Sequence, residues 1–209
     1  GLKTAIVERA ELGGICLNWG CIPTKALLKS AQVFEYMKHA ADYGITVSDA
    51  KADFAGMVKR SRDVAGGMSK GVQFLMKKNK IDIIEGNGVV KPGKAVEVTD
   101  ATGAKKMVSA KHIIIATGAR SKDLPTMKQD GKKIIGYREA MTLATQPKKL
   151  VVVGAGAIGV EFAYFYNSIG TQVTIVEFMD RLVPVEDEEV SKELEKKKKK
   201  QGITIMTSS

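Results

Sequence analysis

The sequence predicts an α/β protein that contains two parallel-sheet units and a layer of β-hairpins or a meander. Three observations carry this expectation. An apolar run at 149–153 meets a glycine-rich turn and a helical pattern. Residues 1–8 repeat the pattern of 170–177, from a glycine through a strand to a glutamate. Residues 95–99 and 107–115 alternate between apolar and polar side chains around a turn at Thr102 and Gly103, as a hairpin-rich layer does. We therefore expect two Rossmann-like nucleotide-binding domains.

The strongest signal is the series strand, glycine turn, helix and strand between Lys149 and Glu177. The turn reads G-x-G-x-x-G, with Gly154, Gly156 and Gly159 at the fixed positions. The first glycine permits a tight turn, the second lets the backbone approach a pyrophosphate, and the third allows close helix packing. The following helix offers free N–H groups and its positive dipole end to phosphates. This order of elements predicts a dinucleotide site.

Glu177 ends the second strand of this unit, where a carboxylate binds the 2′-hydroxyl of an adenosine ribose. A 2′-phosphate would face its negative charge, so the sequence predicts NAD rather than NADP. Arg181, nearby in sequence, is the residue that argues for the phosphorylated cofactor. Gly170, just before the strand, is placed to end the preceding helix as a C-terminal cap.

The repeat at the start of the chain has a strand and a glutamate but no glycine turn or helix before them. We therefore expect the chain to begin inside a dinucleotide-binding unit, whose missing part would be about 30 residues long. Glu8 would then be the ribose-binding acid of the first nucleotide. The alternative is a chance match, because strands that end in glutamate are common.

Cys16 and Cys21 are the only cysteines, and they lie in a glycine-rich segment. Positions i and i+5 of a regular helix lie about 8–9 Å apart, whereas a disulfide needs Cα atoms within about 7 Å. The pair can close only where the backbone leaves helix geometry, which Gly13, Gly14 and Gly20 permit. A helical pattern follows, and thiolates are stabilised near a helix N-terminus. A small loop of this kind favours redox chemistry.

Three other readings of the cysteines remain at this point. Free cysteine is often a small buried hydrophobe, so two unpaired thiols are one alternative. A zinc site is disfavoured because there is no second cysteine pair and His39 and His112 are distant in sequence. A secreted disulfide scaffold is disfavoured because such domains usually carry several bridges. We expect no metal.

The remaining elements follow from periodicity and from glycine and proline punctuation. We predict strands at 2–8, 81–85, 89–90, 95–99 and 107–115 and helices at 22–41 and 53–80, the last with Gly66, Gly67 and Gly71 as weak points. The resulting division is a first domain at 1–118, a connecting segment at 119–147 and a second domain at 148–209.

The net charge of +10 owes half its value to the lysine run at 196–200. This run ends a polar helical stretch that begins with acidic residues, so a solvated helix end is the preferred interpretation over nucleic-acid binding. The longest uncharged apolar stretch, around 150–160, is too short to span a bilayer. We expect neither a nucleic-acid partner nor membrane insertion. We expect a bacterial cytoplasmic location, or the mitochondrial matrix in a eukaryote.

The segment at 13–25, the run at 115–119 and the glycine turn at 154–159 occur in this order in the FAD-dependent pyridine nucleotide-disulfide oxidoreductases, which the whole chain resembles. The cysteine segment looks most like that of the dihydrolipoamide dehydrogenases, the E3 components of 2-oxoacid dehydrogenase complexes. The resemblance implies oxidation of protein-bound dihydrolipoamide through a redox-active disulfide and FAD, with hydride transfer to NAD+. It also implies two partners: lipoyl domains, of E2 or of the glycine cleavage H protein, and a second copy of the full-length enzyme as a homodimer.

The same resemblance assigns roles to residues. It implies that Cys16 is the interchange sulfur and that Cys21 faces the flavin. Glu161 matches a glutamate that pairs with the lysine near the flavin, and Lys25 is that lysine. The FAD set that it implies is Glu8 at the adenosine ribose, Asn87 and Gly88 at the adenine end, Lys25 beside the ring, and Thr117 and Gly118 on the flavin side.

The family also needs a His–Glu dyad from a C-terminal dimerisation domain of the partner subunit. Neither His39 nor His112 matches that histidine, so we expect the second domain to be truncated and the 209-residue chain alone to be inactive. Two alternatives to this function are an NAD(P)H-dependent disulfide or mercuric reductase of the same family, and a nucleotide-binding module without redox chemistry.

Overall fold

A computed structural model describes all residues from 1 to 209. Its strands and helices, in chain order, are β1 Ala5–Glu8, α1 Gly14–Trp19, α2 Cys21–Lys38, α3 Phe54–Lys78, β2 Asp82–Glu85, β3 Asn87–Lys91, β4 Ala95–Thr99, β5 Lys105–Ser109, α4 Tyr137–Ala140, β6 Lys149–Val153, α5 Ala157–Ser168, β7 Gln172–Val176, α6 Glu188–Lys200 and β8 Thr204–Met206. A 3-10 turn at Ala40–Tyr43 follows α2.

Three sheets organise the chain. The first pairs β1 with β2 in parallel, with Glu8 opposite Glu85. The second is the antiparallel meander β3-β4-β5, and the third is the parallel sheet β6-β7-β8. The predicted α/β class, with parallel sheets and a meander layer, is confirmed.

The two long helices begin where their sequences favour it. Pro23 lies in the first turn of α2, where its missing N–H costs no helical hydrogen bond. Asp53 caps α3 by accepting a hydrogen bond from the backbone N–H of Gly56 at 3.0 Å. The helix continues unbroken through Gly66, Gly67 and Gly71. Each glycine disfavours helix by about 1 kcal/mol relative to alanine, which the packing of the buried face of α3 offsets.

The strand predicted at 107–115 is only partly correct, because β5 ends at Ser109 and residues 112–115 form no strand. The apolar run His112-Ile113-Ile114-Ile115 suggested a strand, but a strand requires a hydrogen-bonded neighbour and none lies beside this segment. Ile114 is 90% exposed as a result.

One hydrophobic core joins the two halves of the chain. Leu27 and Phe54, from α2 and α3, pack in the same cluster as Phe165 and Tyr166 from α5. The Phe54 ring lies 6.3 Å from the Phe165 ring and 6.0 Å from the Tyr166 ring, centroid to centroid. Burying a large apolar side chain contributes about 1.5–3 kcal/mol, so these contacts hold α2 against α5. That packing positions the candidate site.

The lysine run at 196–200 forms the last turns of α6, as expected of a solvated helix end. Asp187 caps this helix, and Glu188 and Glu195 pair with lysines one turn further on, at 2.8 and 2.6 Å. Acidic residues at the start and basic residues at the end complement the helix dipole. None of the helices combines the length and apolar character that crossing a membrane would need.

Candidate active site

Cys16 and Cys21 form a disulfide, with their Cα atoms 4.8 Å apart. Gly20 separates α1 from α2 and adopts φ −140° and ψ −117°, outside helix geometry. A Cβ atom on Gly20 would lie 2.9 Å from the Cys16 Cα and 3.0 Å from the Ile15 carbonyl oxygen. The break at Gly20 therefore confirms the expected departure from a regular helix. The short helix α1 was not predicted, because a six-residue helix leaves little periodicity to detect.

The disulfide lies at the surface and at the start of a helix. Both cysteines are exposed, so a dithiol can reach the sulfur atoms. Cys21 is the first residue of α2, where free N–H groups and the dipole stabilise negative charge. Cys16 is the third residue of α1, but that helix has only six residues, whereas Cys21 begins the 18-residue α2, so a thiolate at Cys21 faces the dipole of the longer helix. This asymmetry makes Cys21 the better leaving group.

The disulfide loop is tied to the rest of the fold by polar contacts. Asn18 is buried and donates to the carbonyl oxygens of Leu12 and Gly14, both at 3.0 Å. Ser69 of α3 donates to the same Leu12 carbonyl at 3.0 Å. Arg62, also of α3, donates to the Asn18 carbonyl at 2.6 Å. The bonds from Ser69 and Arg62 join the two ends of the loop to α3.

Two guanidinium groups that sequence reasoning missed lie over the Trp19 ring. Arg62 lies 4.0 Å from the centre of the Trp19 ring and Arg138 lies 4.9 Å from it. Burial lowers the pKa of Arg62, Glu11 opposes that effect and Arg138 adds to it. No local motif marks these arginines, because the contacts join segments far apart in sequence.

Lys25 and Glu161 form the ion pair that the family resemblance led us to expect, with Nζ and Oε1 2.5 Å apart. Lys25 lies on α2 one turn after Cys21, and Glu161 lies in the second turn of α5. The side chains are 61% and 28% exposed. The pair joins the disulfide-bearing helix to the helix that follows the glycine turn. The functional roles of both residues remain predictions.

The glycine turn has the expected backbone geometry. Gly154 has φ +100°, a conformation that glycine adopts without strain, and Gly156 caps α5. Open space surrounds the position that a Cβ would take on Gly156, so a ligand can approach the backbone there. A Cβ on Gly159 would clash with the carbonyl oxygen of Gly154. Gly170, with φ +101°, ends α5 as predicted.

Glu177 has a contact that the motif alone did not indicate. It is only 8% exposed, and its carboxylate accepts hydrogen bonds from the N–H groups of Ala155, at 2.5 Å, and Met179, at 2.8 Å. The first bond holds the glycine turn against the end of β7. Each carboxylate oxygen has a second lone pair, so the expected ribose contact remains compatible with this geometry.

The residues expected at the adenosine end of FAD cluster at the ends of parallel strands. Glu8 ends β1, and Asn87 and Gly88 begin β3 directly after β2. A Cβ on Gly88 would lie 3.1 Å from a methyl group of Val7, so the start of β3 packs against the end of β1. The Glu8 Oε1 accepts the N–H groups of Arg9 and Ala10, both at 2.9 Å, which leaves Oε2 for a ligand hydroxyl.

Thr117 and Gly118 are the predicted site residues that the structure does not connect to the others. They lie in the segment 110–121, which has no helix or strand, and residues 111–123 make no hydrogen bond to the rest of the chain. The reason is the absent strand at 112–115. Their assignment to the flavin side stays a prediction.

Comparisons with known proteins agree with this geometry. The family model described as pyridine nucleotide-disulphide oxidoreductase matches residues 1–209. The chain is 51% identical to a dihydrolipoyl dehydrogenase of Chlorobaculum tepidum over 205 residues, which covers 98% of this chain and 44% of that protein. It is 48% identical to a dihydrolipoyl dehydrogenase of Zymomonas mobilis over 208 residues, covering 100% of this chain and 45% of that protein. The chain thus spans less than half the length of these curated relatives.

Solved structures show the same fold. LpdA from Mycobacterium tuberculosis matches with a TM-score of 0.90 at 24% identity, covering 99% of this chain and 45% of that one. The flavoprotein disulfide reductase RclA from Escherichia coli matches with a TM-score of 0.81 at 26% identity, covering 100% of this chain and 44% of that one.

Proposed function

Because this chain belongs to the pyridine nucleotide-disulphide oxidoreductase family, we propose that it is the disulfide-bearing, nucleotide-binding part of a dihydrolipoamide dehydrogenase. The proposed reaction oxidises protein-bound dihydrolipoamide to lipoamide and transfers a hydride to NAD+. The observation that carries the proposal is the exposed Cys16–Cys21 disulfide at the start of α2, in a chain 51% identical to a dihydrolipoyl dehydrogenase.

The disulfide performs the first half of the proposed reaction by thiol exchange. A thiolate of dihydrolipoamide attacks the Cys16 sulfur, the bond between the two cysteine sulfurs breaks, and Cys21 leaves as a thiolate. The second thiol of the substrate then attacks the mixed disulfide at its own first sulfur. Lipoamide departs with its ring closed, and the two electrons remain on Cys16 and Cys21. The position of Cys21 at the N-terminus of α2 supports this order of attack.

FAD fits the residues at the ends of β1 and β2. Glu8 has a free carboxylate oxygen for the adenosine ribose, and Asn87 and Gly88 offer backbone groups beside it. When bound, FAD would act as the two-electron carrier between the cysteine pair and the nicotinamide. Lys25 would lie beside its ring, with Thr117 and Gly118 on the same side.

We propose that Glu161 orients Lys25, and that the positive charge of Lys25 stabilises the thiolate near the flavin. Glu161 holds the Lys25 ammonium within hydrogen-bonding distance and thereby limits its rotamers. Since Lys25 lies one turn after Cys21 on α2, its charge favours the thiolate form of the reduced pair.

NAD fits the glycine turn. The first-turn N–H groups of α5 have no intrahelical partner and can receive the pyrophosphate. Gly154, Gly156 and Gly159 permit the close approach, and Glu177 accepts a ribose hydroxyl. A 2′-phosphate would meet the buried carboxylate of Glu177, which supports NAD over NADP.

The proposed partners are lipoyl domains, of E2 or of the glycine cleavage H protein, and a second copy of the enzyme. His39 lies beyond the C-terminal end of α2, pairs with Glu35 at 3.8 Å and is remote from the disulfide at the other end of the helix. Following the family resemblance, we assign the general base to a His–Glu dyad of the partner subunit. The proposed location is the bacterial cytoplasm, or the mitochondrial matrix in a eukaryote.

The proposal is tested by an activity assay on the protein isolated from its natural source. We expect a bound-flavin spectrum, reduction of NAD+ with free dihydrolipoamide, and a strong preference for NAD+ over NADP+. Cys16→Ser and Cys21→Ser should both abolish turnover while retaining the flavin. A preference for NADP+, or activity only with another disulfide or with mercuric ion, would favour the reductases instead.

A further inference from the structure

Once the Cys16–Cys21 disulfide is reduced, the only covalent link between the loop that carries Cys16 and α2 is the backbone at Gly20, so non-covalent contacts must set the angle between α1 and α2. The Asn18 side chain donates only to the carbonyl oxygens of Leu12 and Gly14, and so ties the loop to itself. The side-chain hydrogen bonds that reach the loop from another helix come from α3: Ser69 bonds the start of the loop and Arg62 bonds its end.

Arg62 makes two contacts with the same end of the loop. It donates to the carbonyl oxygen of Asn18 at 2.6 Å, and its guanidinium carbon Cζ lies over the Trp19 ring, 4.0 Å from the ring centre. A planar guanidinium can bond in its plane and stack on its face, which an ammonium group cannot. Arg138 covers the ring as well, at 4.9 Å, so Trp19 is held from two positively charged groups.

We propose that Arg62 is a positioning residue for the disulfide, and this inference rests on the proposed thiol-exchange function. By fixing Trp19 and the Asn18 carbonyl, Arg62 keeps α1 at the angle to α2 that brings Cys16 to Cys21. The clamp acts mainly on the reduced protein, because the Cys16–Cys21 bond then no longer holds the two helices together and only the backbone at Gly20 links them. It raises the effective concentration of one thiol at the other and so favours disulfide formation.

The measured reaction is the exchange between the cysteine pair and dithiothreitol. Reduction breaks the Cys16–Cys21 bond, transfers two electrons and two protons from dithiothreitol to the two sulfurs, and closes the dithiothreitol ring as a disulfide. Thiol alkylation followed by mass measurement of the peptide that contains both cysteines gives the oxidised fraction at each buffer ratio.

Arg60 supplies a matched control on the same helix. It donates to the Ala26 carbonyl at 2.8 Å and the Ser30 hydroxyl at 3.2 Å, so it ties α3 to the body of α2 without touching the loop. We expect Arg62→Gln to lower the equilibrium constant for disulfide formation by about 3- to 10-fold, which raises the midpoint potential by about 15–30 mV. Arg60→Gln should leave that constant within twofold of the parent, although thermal unfolding reports a loss of stability for both.

Arg62→Lys separates the clamp from the charge. The proposal expects this variant to behave like Arg62→Gln, since lysine keeps the positive charge but cannot stack while it donates in plane. A parental equilibrium constant in Arg62→Lys, or in Arg62→Gln, would overturn it. Should Arg62→Gln not fold, Trp19→Leu takes its place: the same shift supports the clamp and an unchanged constant overturns it.

The two proposals fail separately. The exchange equilibrium is read without NAD+ or turnover, so an unchanged constant in the Arg62 variants would overturn the clamp and leave the proposed function standing. If Arg62→Gln shows the expected shift but the parent protein does not oxidise dihydrolipoamide, the proposed function alone would be overturned.

Discussion

Replacing Gly20 with alanine should shift the redox equilibrium of the disulfide more than it shifts the rest of the fold. The new Cβ would lie 2.9 Å from the Cys16 Cα and 3.0 Å from the Ile15 carbonyl oxygen, both of them backbone atoms that cannot rotate away. This steric clash can be relieved only if α1 moves away from α2. Such a movement lengthens the 4.8 Å separation between the Cα atoms of Cys16 and Cys21.

The expected magnitude follows from the cost of an overpacked contact, about 1–3 kcal/mol. The reduced protein can relax the contact, whereas the closed disulfide cannot, so most of this free energy appears in the exchange equilibrium. For a two-electron couple it corresponds to a rise of about 20–65 mV in the midpoint potential.

Redox titration against dithiothreitol, read by thiol alkylation, measures the shift. Gly66→Ala is the matched control: its Cβ would meet open space within α3, so we expect an unchanged potential and a gain of up to about 1 kcal/mol in the free energy of unfolding. A Gly20→Ala protein with the parental potential would refute the claim that closure depends on this close approach.

Three further predictions concern the second unit and its contact with the first. Glu177→Gln should weaken the bond from the Ala155 N–H, cost about 1–3 kcal/mol of unfolding free energy, and reduce the preference for NADH over NADPH in initial-rate assays; an unaltered preference would contradict the ribose assignment. Tyr166→Phe should cost about 1 kcal/mol by leaving the Ala140 carbonyl without its donor. Burial raises the pKa of Tyr166 in the folded protein. The free energy of unfolding of the parent should therefore fall as pH rises above about 10, where the phenol of the unfolded chain ionises. Urea unfolding of Tyr166→Phe should show a flatter dependence of that free energy on pH. Glu161→Gln should change the free energy of unfolding by less than about 1 kcal/mol, because the ion pair is largely exposed. The same variant should lower the rate of NAD+ reduction by about tenfold or more. A loss of activity that is matched by an equal loss of stability would indicate a purely structural role.

Local patterns were sufficient where the chemistry needs particular residues at short spacing. The glycine turn, the helix that follows it and the strand that ends at Glu177 were predicted from sequence and lie where expected. The pairing of Lys25 with Glu161 came from the family resemblance and is present in the structure. The strand at 112–115 failed because its apolar run describes a side-chain pattern and not the presence of a neighbour.

The sequence by itself determined which reactive and binding groups the chain carries: two cysteines beside glycines at the start of a helix, and a glycine turn that suits a dinucleotide. Backbone freedom at glycine and the dipole at a helix start are local properties, and a few adjacent residues are enough to specify them. Only the tertiary structure decided how that chemistry is held. Arg62 reaches Trp19 from a separate helix, and Glu177 closes on the N–H of Ala155, because folding brings together groups that no short window of sequence contains.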